Sequence, residues 1–249
     1  FKVFLMRRAK IVCTIGPAVE SIEKITELID AGMNMARLNL SHGGHEEHQM
    51  RLNNVREVAK KANKAVAILV DLQGPKIRLG RFKNGPHDLA RGDKFTITTE
   101  DIEGTKDRVS TTYKGLPGDC KIGDKIMIDD GKVTVEVSEV NGNDVVTKVI
   151  HPGAVSNNKG LNLPGVAVSV PAMSEKDVAD LRWGLKAGAD FIALSFVRNA
   201  SDVKDVHKIM DEVGIRIPVI AKIEKPQAVA NLQEIVDAFD GIMVARGDL

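Results

Sequence analysis

The sequence has 249 residues, of which 43% are hydrophobic and 28% charged, proportions of a folded globular protein and too apolar for a disordered one. Lys and Arg number 35 against 34 Asp and Glu; the resulting formal charge of +1 removes the electrostatic footprint of a general nucleic-acid binder. The longest apolar run, residues 65–70, is far short of the ~18 that suggest a membrane span, and Cys13 and Cys120 form neither a disulfide framework nor a metal-type pair. The expectation is a reducing, cytoplasmic setting with no nucleic-acid or membrane partner.

Residues 1–6, apolar apart from Lys2, are too short for a signal peptide, and Met6 would be a more natural start than Phe1. Residues 10–15 read as a β-branched strand closed by Gly16-Pro17. Ile22, Ile25, Leu28 and Ile29 then fall at helical spacing, with Gly32 where a C-cap belongs. A strand over 35–40, a helix over 46–63 and a strand over 65–72 follow. Strands separated by helices imply right-handed crossovers and a parallel sheet.

From Leu79 the pattern changes to short alternating segments at 95–99, 108–113, 125–128, 132–137 and 144–150, separated by Gly-Asp, Asp-Asp-Gly and Asn-Gly-Asn turns. These predict an antiparallel sheet or small barrel. Helical patterning returns only at Ser174, where Ser174-x-x-Asp177 resembles a capping box. Strand 191–196, helix 202–213, strand 219–223, helix 227–239 and strand 241–245 complete the chain. The predicted architecture is a discontinuous α/β domain, 1–78 with 170–249, interrupted by a β-barrel domain over 79–169. A (β/α)8 TIM barrel needs eight strands; six are present, and the sequence stops at Leu249 on a strand and its loop, so a piece of a longer chain is expected.

The side-chain period of two places Arg37, Asn39 and Ser41 on one face of their strand and Ala36, Leu38 and Leu40 on the other. The same alternation groups Lys222 with Glu224 and Arg246 with Asp248, and Asp71 ends a strand that runs into Gln73-Gly74-Pro75-Lys76-Ile77-Arg78. All four clusters lie at the C-terminal ends of parallel strands, where barrel enzymes place their active sites. Arg37, Arg78 and Lys222 suit phosphate and carboxylate oxygens. Glu224 and Asp248 are hard oxygen ligands suited to Mg²⁺. Cations and Mg²⁺ around one point are what phosphoryl transfer requires. Neither a P-loop nor a GxGxxG is present.

Each signal has a plainer reading. A Lys-x-Glu pair is commonly a salt-bridged face, Arg37-x-Asn39-x-Ser41 could be a polar barrel layer, and Lys159 in Asn157-Asn158-Lys159-Gly160 reads alone as a turn lysine. His45, His48 and His207 read as helix-surface residues, and Cys13 as core on a buried strand. The agreement of four strand ends favours function.

The sequence resembles the N-terminal part of a pyruvate kinase from about Arg7 to Leu249. The motifs are Lys10-Ile-Val-Cys-Thr-Ile-Gly-Pro17, Met35-Ala-Arg-Leu-Asn-Leu-Ser-His-Gly43, Asp71-Leu-Gln-Gly-Pro-Lys-Ile-Arg78, Asn158-Lys-Gly-Leu-Asn-Leu-Pro-Gly165, Ser174-Glu-Lys-Asp177, Ala221-Lys-Ile-Glu224 and Val244-Ala-Arg-Gly-Asp-Leu249. The resemblance implies a TIM barrel with an inserted all-β lid domain that closes to exclude water. It implies phosphoryl transfer from phosphoenolpyruvate to ADP, giving pyruvate and ATP. Arg37, Lys222, Gly247 and Asp248 would contact the substrate, Lys222 stabilising charge on the transferring group and the enolate oxygen. Glu224 and Asp248 would hold Mg²⁺; Asn39, Ser41, His42, Arg78 and Lys159 would face the nucleotide.

Many family members bind K⁺ at positions matching Asn39, Ser41, Asp71 and Leu72, helped by an acidic residue where this chain has Lys76. Leu72, Gln73, Lys76 and Leu79 resemble the K⁺-independent pattern, in which an ammonium supplies that charge. The family continues through two more strands into a C-terminal domain absent from this sequence, and its full-length form is a homotetramer. The 249-residue chain alone is therefore expected to be inactive and poorly folded. Two other readings stay open: a Mg²⁺-dependent barrel lyase acting on pyruvate or oxaloacetate, and a non-catalytic interaction protein.

Overall fold

The computed structural model describes residues 8–129, 131–166 and 168–245. The chain divides into two compact units, one running up to Gly74 and resuming at Ala172, the other Pro75–Pro171. The division falls a few residues outside the 79–169 read from the sequence.

The first unit begins with β1 (Ile11–Thr14), α1 (Ile22–Ala31), β2 (Met33–Asn39), α2 (His45–Lys61) and β3 (Ala67–Asp71). Ser21 Oγ accepts from the Lys24 amide at 3.3 Å to start α1, and Gly32 ends it at φ 106°, a conformation a Cβ would penalise. Along β2 and its exit, Ala36, Leu38 and Leu40 are buried in the core, whereas Arg37, Asn39 and Ser41 are only partly covered, as the alternation requires. β1 departs from the expected buried strand. It pairs with β2 at the margin of the sheet, leaving Ile11 and Val12 exposed and Cys13 only partly buried against the core.

The second unit holds β4 (His87–Leu89), β5 (Lys94–Thr98), β6 (Arg108–Ser110), α3 (Leu116–Asp119), β7 (Lys125–Ile128), β8 (Val133–Asn141), β9 (Asp144–His151), β10 (Gly153–Val155) and β11 (Leu161–Asn162). The one-turn α3 lies in a stretch where no helix was expected; its Pro117 fills a first-turn position that needs no amide donor. One sheet has the order β11-β7-β8-β9-β5-β6, and β10 pairs with β4 apart from it. Its pairings are antiparallel except for β5 and β6, which run parallel. The loop between β5 and β6 detours to bridge Gly104 with Phe82, so the chain re-enters in the same direction. Residues 77–80 bridge both outer strands: the Leu161 amide donates to the Ile77 carbonyl at 2.8 Å, and the Gly80 amide to the Ser110 carbonyl at 2.7 Å. That segment joins the margins of the sheet around a core containing Phe95, Ile97, Ile126, Val135 and Val145.

The first unit resumes with α4 (Glu175–Ala187), β12 (Phe191–Leu194), α5 (Asp202–Val213), β13 (Val219–Ile223), α6 (Pro226–Ala230), α7 (Leu232–Ala238) and β14 (Gly241–Val244). The single helix expected over 227–239 is two, because Asn231 leaves helical geometry and its side-chain amide donates to the Arg198 carbonyl at 3.0 Å. The parallel sheet has the order β1-β2-β3-β12-β13-β14. Asp177 completes the capping box on α4 through Oδ2, while its Oδ1 accepts from the Gly74 amide at 2.9 Å. One buried carboxylate thus starts a helix and holds the loop leaving β3.

His48 is not a surface residue. It is 1% exposed on α2, packed against Trp183, and its Nε2 lies 2.8 Å from the His42 carbonyl. Cys120 is buried, which pushes its thiol up to about 12 and leaves it un-ionised. Among the described residues no helix is long and apolar enough to cross a membrane.

Candidate active site

Parallel register puts Asn39 of β2 beside Asp71 of β3, and Asp71 beside Ala193 of β12. The strand ends therefore converge without any need for long loops. Asp71 is fully buried and serves both nearby cations. Its Oδ2 accepts from Arg37 Nε at 2.7 Å, and Arg37 Nη2 lies 2.6 Å from the same oxygen. Its Oδ1 lies 3.3 Å from Lys222 Nζ, an ion pair lacking hydrogen-bond geometry. Arg37 Nη1 also donates to Thr14 Oγ1 at 2.8 Å, which fixes the guanidinium plane from a third strand.

Lys222 reaches the same point from β13. Its ammonium donates to Ser195 Oγ at 2.8 Å and pairs with Glu224 Oε1 at 2.9 Å. Glu224 is 2% exposed, and its Oε2 accepts from the Phe196 amide at 2.7 Å. Two cations and two carboxylates thus balance at the C-terminal end of the sheet, as buried charges must. Arg37 keeps 25% of its side-chain surface and Lys222 13%, so both can meet an incoming anion.

The exit of β2 is held separately. Asn39 Oδ1 accepts from the Ser41 amide at 3.2 Å, and His48 fixes the carbonyl of exposed His42. In the second unit, Arg78 and Lys159 lie together. Arg78 bridges Gly160 and donates to the Asn158 carbonyl at 2.9 Å; Lys159 Nζ pairs with Asp129 Oδ1 at 3.1 Å. Lys132 and then Lys159 hold the Asp129 carboxyl below its ordinary range. Lys76 is exposed in the same unit. Gly247 and Asp248, with Arg246, lie outside the described residues.

Thr14, Ser195 and the Asp177–Gly74 tie were missed in the sequence. Thr14 and Ser195 are polar residues at strand ends, so the rule that found Arg37 and Lys222 could have found them. The donor chemistry fits a hard divalent cation. Glu224 brings carboxylate oxygens with spare lone pairs, and the Asp71 Oδ1 is buried without a hydrogen bond. Among the described residues no three His, Cys, Asp or Glu side chains form a cluster able to hold a metal ion. A cation here would therefore draw remaining ligands from water or substrate, as Mg²⁺ commonly does.

The family model described as "Pyruvate kinase, barrel domain" matches residues 6–249. The chain belongs to the pyruvate kinase family. A pyruvate kinase of Corynebacterium glutamicum is 59% identical over 243 residues, and one of Mycobacterium tuberculosis 52% identical over 245. Each alignment covers 98% of this chain but only 51% and 52% of those proteins. A crystal structure of a pyruvate kinase from Cryptosporidium parvum matches with a TM-score of 0.92 at 41% identity, covering 96% of this chain and 51% of that one. The chain thus spans about half the length of these pyruvate kinases. Its parallel sheet and helices are part of the family's (β/α)8 barrel, interrupted by a β-rich unit that carries the single short helix α3 rather than the all-β domain expected.

Proposed function

We propose that this chain is the barrel portion of an enzyme that transfers the phosphoryl group of phosphoenolpyruvate to ADP, giving pyruvate and ATP. The observation that supports it most is Arg37 and Lys222 sharing the buried carboxylate of Asp71, with Glu224 beside them, at the C-terminal end of a parallel sheet. Phosphoryl transfer asks little covalent chemistry of a protein and depends on positioning and charge neutralisation. Arg37, its plane set by Asp71 and Thr14, holds the substrate phosphoryl group. Lys222 lies against the group in flight and stabilises charge on it and on the enolate oxygen left behind. Glu224 and Asp248 would hold Mg²⁺, which would supply positive charge to neutralise the transferring group. The Gly247–Asp248 backbone receives the substrate carboxylate. Asn39, Ser41, His42, Arg78 and Lys159 are the residues we assign to the nucleotide.

The enzyme needs little or no K⁺. Lys76 stands where K⁺-dependent members carry an acidic residue, and its ammonium supplies the positive charge that K⁺ brings in them. Free Cys13 and Cys120 suit a reducing cytoplasm. The reading is tested by product analysis of the complete enzyme given phosphoenolpyruvate, ADP and Mg²⁺. Pyruvate and ATP should form one for one; failure to form pyruvate from phosphoenolpyruvate would contradict the reading and leave the lyase chemistry, whereas pyruvate released with inorganic phosphate would mean hydrolysis rather than transfer to ADP.

A further inference from the structure

We propose that Ser195 is a positioning residue that fixes the Lys222 ammonium for phosphoryl transfer; this rests on the role given to Lys222 above. An ammonium carries three donors and no acceptor, so in the 2.8 Å contact Lys222 donates and Ser195 Oγ accepts. The hydroxyl proton then goes to the Leu72 carbonyl, 2.6 Å away. The chain of donation has one direction, from Lys222 through Ser195 to the backbone leaving β3. Ser195 is 2% exposed, so water does not readily take its place.

Three acceptors surround Lys222 Nζ: Ser195 Oγ, Glu224 Oε1 and Asp71 Oδ1. Asp71 is shared with Arg37, and Glu224 is the residue assigned to the metal. Ser195 is the neutral member, and its contact with Lys222 competes with no other charge. Its own place is set from two sides. Phe196, which follows it, is left-handed at φ 56° and donates its amide to Glu224 Oε2. On the other side Gly74 approaches so closely that a Cβ there would lie 2.7 Å from both Ser195 Cβ and the Phe196 ring. Residues at the ends of β3 and β12 and one from β13 thus meet on one hydroxyl. A side chain that must meet charge developing in flight gains rate from being held in place, and a misplacement of about 1 Å can cost about 10²-fold.

The test is steady-state kinetics of the complete enzyme carrying Ser195→Ala, Ser195→Cys or Ser195→Thr. The alanine and cysteine variants remove or weaken the acceptor, and cysteine keeps nearly the same shape should alanine disturb folding. Both are expected to lower kcat about 10–10²-fold while KM for phosphoenolpyruvate and for ADP stays within about threefold. Threonine keeps the hydroxyl and should recover most of the rate. Wild-type kcat in the cysteine variant, or a loss carried wholly by KM, would overturn the proposal. Lys222→Met separates this from the underlying reading: if it turns over at the wild-type rate, the role of Lys222 itself fails. If it is inactive while Ser195→Cys is unimpaired, only the role of Ser195 fails.

Discussion

Lys222 and Glu224 share a face because they sit two apart on one strand, and that much is legible from the sequence, as is the trio Arg37, Asn39 and Ser41. What the period of two cannot tell is which neighbour answers each charge. Asp71 lies 34 positions from Arg37 in the chain and 151 from Lys222, yet parallel register makes it the carboxylate common to both. Asp71→Asn leaves two cations facing one carboxylate and should destabilise the protein by about 3–5 kcal/mol in urea unfolding; an unchanged midpoint would contradict the shared-ion-pair account. His48 was misread because a histidine among polar helix residues looks solvated. With Nε2 facing the His42 carbonyl and Nδ1 buried without a partner, its ring is neutral and protonated on Nε2. Burial lowers its pKa below the ordinary value, opposed by the bond to His42, with Arg51 lowering and Glu47 and Asp180 raising it more weakly. The unfolded chain therefore takes up the proton first as pH falls. The stability held above pH ~6.5 is lost progressively below it, down to the folded pKa. The Tm should fall between pH 7 and 5, and His48→Gln should flatten that decline; an identical pH dependence in the variant would remove His48 as the cause.

At the scale of elements, the strands and helices of the parallel sheet follow from periodicity, and Ser174-x-x-Asp177 announces α4. The second job of Asp177, holding the Gly74 amide 103 residues away, is invisible locally because it depends on α4 packing behind β3. Asp177→Ala loses a cap and strands a buried amide, and is expected to cost about 2–3 kcal/mol. Gly74→Ala meets Ser195 and the Phe196 ring and imposes φ 76° on a side chain. It should destabilise by about 1–3 kcal/mol and lower kcat with it; a variant as stable as wild type would mean that the loop after β3 yields easily. The elements that escaped prediction have tertiary causes. Asn231 splits a helix because Arg198 offers it a carbonyl, and β5 and β6 run parallel because Gly104 is drawn to Phe82.

At the scale of the molecule, the change from helical to alternating pattern at Leu79 marks the inserted unit, and turn chemistry marks it as β-rich. Its joined margins are less legible, since residues 77–80 bridge the sheet through isolated pairs rather than a regular strand. The K⁺ requirement is a property of the complete enzyme. Comparing the initial rates of the complete enzyme in Na⁺ and K⁺ buffers should give nearly equal values; strong activation by K⁺ would sink the charge-replacement argument. The central claim is that the cluster around Asp71 performs phosphoryl transfer, and kcat of the Lys222→Met variant in the complete enzyme tests it most directly. With phosphoenolpyruvate, ADP and Mg²⁺ saturating, the account predicts a loss of at least ~10²-fold. Turnover at the wild-type rate would contradict it.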